Sequence, residues 1–109
     1  MTENQKKWIS ALRSGKYKQG KKKLRVGDSY CCLGVACEVL GIEGVKDPEG
    51  YYCYSNLFAV APMRVVEALG LINEVGSRND GSTNLTRLND EGKTFEEIAD
   101  ELESGKHFV

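Results

Sequence analysis

Residues 31–40, Cys-Cys-Leu-Gly-Val-Ala-Cys-Glu-Val-Leu, are apolar at almost every position, and Gly41 follows as a stop. A helix that is apolar all round has no face to offer water, so it belongs at the buried centre of a fold. A chain of 109 residues builds one such core, which makes residues 1–109 a single domain and every other element a cover for this helix. Gly34 stands inside the helix at a cost of roughly 1 kcal/mol relative to Ala, which points to close approach of backbone or ligand at that position.

The covering elements carry local signals. Thr2 followed by Gln5 forms a capping box, and Trp8, Ile9 and Leu12 share one helical stripe, so a first helix runs over 3–13 and stops at Gly15. Residues 15–27 have no helical period; Leu24 and Val26 alternate with basic side chains and predict a loop entering a short strand. Residues 42–50 are polar and contain Gly and Pro, and Tyr51-Tyr52-Cys53-Tyr54 reads as a strand. Pro62 opens a helix with Val65, Val66 and Leu69 on its apolar side and Gly70 as its left-handed stop. Residues 77–83 form an exposed polar turn whose flanks, 71–75 and 85–88, are expected to pair as a hairpin. Thr94 and Glu97 make a second capping box in front of Phe95, Ile98, Ala99 and Leu102, which predicts a last helix over 95–103. The expectation is an α+β domain of about four helices with a small antiparallel sheet or hairpin near 22–32, 50–55 and 71–88.

Charge is distributed unevenly. Residues 1–25 carry nine of the fifteen basic side chains and one acid, Glu3, a local balance of +8 in a chain whose formal net charge is -1. If folding does not interleave the later carboxylates among these cations, the amino-terminal segment presents a basic surface to an anionic partner. No stretch approaches the roughly 20 apolar residues of a bilayer span, and the first seven residues lack an apolar run, so a cytoplasmic protein without membrane contact is expected.

The candidate ligand-binding residues are Lys16, Tyr17, Lys18, Gln19, Lys21, Lys22, Lys23 and Arg25. Lysine and arginine neutralise phosphate, Gly15 and Gly20 let backbone amides approach, Tyr17 stacks on a base, and Gln19 adds specificity. No Gly-Lys-Ser/Thr opens a helix, so this is not a Walker loop, and a solvated lysine loop is the plainer reading. The overall charge disfavours an extended nucleic acid and suits a small anion in a local pocket. Cys31 and Cys32 at a helix start suggest a nucleophile, with Gln19 as oxyanion donor. However, the one histidine, His107, lies two residues from the end and follows Asn84 and Asn89, an order that leaves the base unassigned. The four cysteines at 31, 32, 37 and 53 lack paired zinc-ligand spacing, so neither a metal nor a cofactor is expected. Residues 89–94 read as a turn and cap, and the Tyr51, Tyr52, Tyr54 cluster as either a base or sugar pocket or a strand with one wet face.

Three stretches taken together carry a resemblance: Leu-Arg-Ser-Gly-Lys-Tyr-x-Gln-Gly from Leu12, Tyr-Cys-Cys-Leu-Gly-Val from Tyr30, and Leu-Asn-Asp-x-Gly-Lys-Thr-Phe-x-Glu-Ile-Ala-Asp from Leu88. The pattern resembles a family of small, largely uncharacterised proteins of bacteriophages and some bacteria. The resemblance brings no catalytic residue; it implies an accessory protein in a bacterial host's cytoplasm. The resulting expectation is a non-enzymatic binding protein that sequesters an anionic, nucleotide-like ligand, such as a host defence signal, in a homo-oligomer whose protomers share the pocket. The alternatives are an inhibitor that clamps a host protein and a cysteine-dependent hydrolase.

Overall fold

The computed structural model describes all residues from Met1 to Val109. In chain order it contains α1 (Glu3–Arg13), β1 (Lys18–Gln19), β2 (Arg25–Val26), β3 (Ser29–Tyr30), α2 (Cys32–Val39), β4 (Gly44–Lys46), β5 (Tyr51–Tyr54), α3 (Met63–Leu69), α4 (Leu85–Asp90) and α5 (Phe95–Glu103). The apolar segment is indeed the central helix: Cys32, Leu33, Val35, Ala36 and Cys37 of α2 are all fully buried. α1 lies across α2 and α5, and α4 closes the side of α2. The Trp8 indole, itself fully buried, donates a 2.9 Å hydrogen bond to the Cys32 carbonyl and ties α1 to the start of α2. No helix is long and apolar enough to cross a membrane.

Gly34 answers to backbone, not ligand. A Cβ built there would sit 1.8 Å from the Leu24 carbonyl oxygen. The same oxygen accepts the Cys31 N–H at 3.1 Å, so the entry to β2 and the first turn of α2 are in direct contact. Only a residue without a side chain permits that approach.

The sheet is larger than expected and mixed. Its order is β1-β3-β2-β5-β4; β1 runs parallel to β3, and the other pairs are antiparallel. Both capping boxes form: Thr2 with Gln5 on α1, and Thr94 with Glu97 on α5. Hydrogen bonds from the backbone and hydroxyl of Thr94 hold the Glu97 carboxyl below its ordinary value. Gly70 ends α3 in the left-handed region at φ 66°.

The expected hairpin at 71–88 is corrected. Leu71 pairs with Phe108 instead, and the polar turn closes through the single bridge Ser77–Asn84. Residues 85–90 are helical because the Asn84 side chain accepts the Arg87 N–H at 2.9 Å, an N-cap that a strand would not use. Leu85 and Asn89 then fall four apart on the buried side of α4. The count of helices is five.

Gly34→Ala is expected to cost about 3 kcal/mol of unfolding free energy, the upper range for overpacking a rigid contact, since the obstacle is a backbone carbonyl. Urea unfolding followed by circular dichroism measures it.

Candidate functional site

The three motif stretches meet at one hydrogen-bonded clip. Gln19 of β1 donates its amide hydrogens to Asn89 Oδ1 at 2.9 Å and to the Lys93 carbonyl at 2.7 Å, and its oxygen accepts the Phe95 N–H at 3.1 Å. Asn89, fully buried, accepts the Cys32 N–H at 3.2 Å and donates to the Gly20 carbonyl at 2.7 Å. Asp90 accepts the Lys22 N–H at 2.7 Å, where Lys22 sits at φ 69°. Gln19 therefore joins the amino-terminal loop to α4 and the start of α5, and Asn89 extends the link to the start of α2. Its donors, expected to give ligand specificity or oxyanion binding, are committed to protein acceptors.

The cysteines are packed inside. Burial pushes the Cys31 thiol up to about 11 and the Cys37 thiol to about 12, and raises Cys32 well above its ordinary value. Cys32 Sγ lies 3.8 Å from the Leu85 carbonyl. His107 is fully buried and anchored by Nδ1 to the Gly76 carbonyl at 2.8 Å and by Nε2 to Glu101 at 3.1 Å, so its ring ties the chain end to the 76 turn and to α5. No group of three His, Cys, Asp or Glu side chains converges on a point that could hold a metal ion.

The basic side chains divide into two fates. Arg13 is locked by α5: it binds Glu96, Asp100 at 2.8 Å and Glu103 at 2.6 Å, which push its pKa upward. The lysines of the amino-terminal segment make no ion pair; Lys93 is the one lysine that does, with Glu97. An open groove of about 460 Å³ runs between the polar stripe of α1 and the following loop, lined by Lys6, Lys7, Ser10, Ala11, Ser14, Lys16 and Tyr17. Lys16 Nζ lies 5.6 Å from the Tyr17 ring centre. No carboxylate lines this groove. An adjoining hollow of about 590 Å³ shares Lys6 and Ser10 with the groove but is also walled by Glu103 and by the committed Arg13, and is a poorer place for an anion.

The expected ligand-binding residues do not line one hollow. Lys16 and Tyr17 lie in the groove. Lys18 and Lys21 are exposed, and Lys22 borders a separate cavity of about 200 Å³ with Cys31, Thr86 and Asp90. Lys23 Nζ stands 5.7 Å from the Tyr51 ring centre, and Arg25 packs among tyrosines of the sheet. Lys6, Lys7, Ser10 and Ser14 complete the groove without having been expected there. Their signal is the spacing of Lys7, Ser10 and Ser14, a polar stripe three and four residues apart.

A family model described as Domain of unknown function (DUF8296) matches residues 1–106. No curated protein and no solved structure matches the chain.

Asn89→Ala is expected to destabilise the fold by roughly 2–4 kcal/mol, because it strands the Cys32 N–H, the Gly20 carbonyl and part of the Gln19 amide; thermal and urea melts report it. A thiol reagent at pH 7.5 should label Cys31 and Cys37 slowly in the native state, accelerating only on unfolding, since both thiols keep their protons far above neutrality.

Proposed function

The chain belongs to the DUF8296 family, and on that premise we propose that it is a non-enzymatic binding protein for a small phosphate-bearing anion. The family description carries no activity, so the reading rests on residues. What carries it is the groove of Lys6, Lys7 and Lys16, whose ammonium groups have no carboxylate partner and whose lining holds no acid. Three acids of α5, Glu96, Asp100 and Glu103, are engaged with Arg13, while Glu97 pairs with Lys93 and Glu101 with Arg78.

Magnitudes narrow the ligand. Exposed lysine–anion contacts contribute about 1 kcal/mol or less each. Three of them leave a single phosphate in the millimolar range or weaker, where a dissociation constant of 1 mM corresponds to about 4 kcal/mol. The carbonyl end of α1 at Ser14 adds partial negative charge, so the anion sits toward Lys6 and Lys7. A ligand with more than one phosphate charge, or with a second group that stacks on Tyr17, fits these terms. In the phage-type setting that the resemblance implies, holding such a ligand removes it from the host.

Calorimetric titration with inorganic pyrophosphate tests this. The wild-type chain gives saturable binding that weakens as salt is raised, and the Lys7→Ala/Lys16→Ala double variant binds roughly tenfold more weakly at an unchanged melting temperature. Absence of binding by the wild type at low salt contradicts the reading.

A further inference from the structure

The sheet register places an aromatic row beside the lysine groove. Arg25 on β2 is paired directly with Tyr30 on β3 and with Tyr52 on β5. Directly opposed residues leave a sheet on the same face, and the Arg25 guanidinium carbon lies 4.9 Å from the Tyr30 ring centre and 3.8 Å from that of Tyr52. The Tyr30 ring in turn meets Tyr17 edge-on, with centres 5.2 Å apart. Tyr17 lines the groove, so the row Tyr17, Tyr30, Arg25, Tyr52 continues from the phosphate-binding lysines without a break.

All four side chains are half-buried, leaving part of each open to solvent. Arg25 donates Nε–H to the Gly27 carbonyl at 2.7 Å and has no carboxylate within ion-pairing distance, which distinguishes it from Arg13, Arg78 and Arg87. Glu38, on α2, accepts a hydrogen bond from the Tyr54 hydroxyl at 2.8 Å. An arginine seated over two tyrosine rings, with a cationic groove at one end of the row, has the composition of a base-stacking platform. Cation–π contacts with Tyr30 and Tyr52 and the hydrogen bond to Gly27 hold the guanidinium in place and leave part of it open to solvent.

We propose that this row is a nucleobase subsite, so that the ligand of the groove is a nucleotide whose phosphates face Lys6, Lys7 and Lys16 and whose base lies against Tyr30, Arg25 and Tyr52. The proposal rests on the anion-binding reading above and adds the base to it. The same chemistry is offered by a free nucleotide and by the end of a single-stranded nucleic acid.

The test titrates the full chain with inorganic pyrophosphate, ADP and a single-stranded adenine trinucleotide, for the wild type and for the Arg25→Lys and Tyr52→Leu variants, with melting curves on each. Arg25→Lys keeps the charge and removes the planar group, so it reports on stacking even if Tyr52→Leu fails to fold. The expected result is ADP binding at least tenfold tighter than pyrophosphate, with Arg25→Lys erasing that advantage while pyrophosphate affinity stays within twofold. A trinucleotide that binds tighter than ADP then identifies the single strand, and one that binds no tighter identifies the free nucleotide. Pyrophosphate binding as tight as ADP, or an ADP preference that survives Arg25→Lys, overturns the base subsite and leaves the groove standing. Binding of none of the three overturns both.

Discussion

The paired amides of Gln19 and Asn89 hold the molecule in its arrangement. From two side chains, five hydrogen bonds reach the Gly20 carbonyl, the Cys32 and Phe95 N–H groups, the Lys93 carbonyl and each other. Two of those groups open helices, so the clip satisfies N–H donors that a helix start leaves without partners. α2 has no cap of its own, since Cys31 offers no side-chain hydrogen bond, and Asn89 supplies the acceptor from another helix. The basic loop is thereby seated against α2, α4 and α5, and its position relative to α1 defines the lysine groove.

Charge follows from the same geometry. α5 brings Glu96, Asp100 and Glu103 to Arg13 at the end of α1. Those carboxylates are thus drawn to the side of α1 that faces α5, away from Lys7 and Lys16. Arg13 thus gathers three of the later carboxylates, and the imbalance visible along the chain persists at the groove, whose lining holds no acid. The lysines past the groove are not a single cluster, however: they spread over the β1–β2 connection and the sheet, and Lys22 is held at the backbone by Asp90.

Much of the fold is legible in the sequence because its signals are local. A capping box declares itself within four residues, and so α1 and α5 have the expected ends. The apolar run of α2 and the Pro62 to Gly70 frame of α3 are equally self-contained. Residues 71–90 are not, because leucines on either side of a polar turn serve a hairpin and a helix alike, and Asn84 decides between them only through its bond to Arg87. β1 is two residues long and exists by pairing with β3, a partner that its own side chains do not specify. At the site, Lys16 and Tyr17 stand out as members of a charge run with an aromatic. The role of Gln19 is hidden, since its partners lie 70 to 76 residues away in sequence. Gly34 is the intermediate case: its presence in a buried helix announces a close approach, and only the fold identifies the Leu24 carbonyl as what approaches.

The central claim is that an anion binds between α1 and the loop that follows it. Amide chemical shifts of the isotope-labelled chain during a pyrophosphate titration test this most directly. The account predicts saturable shifts concentrated at Lys6, Lys7, Ser10, Ala11, Lys16 and Tyr17, with little change at Arg13 neighbours on α5. Shifts confined to other surfaces, or none at all, contradict it.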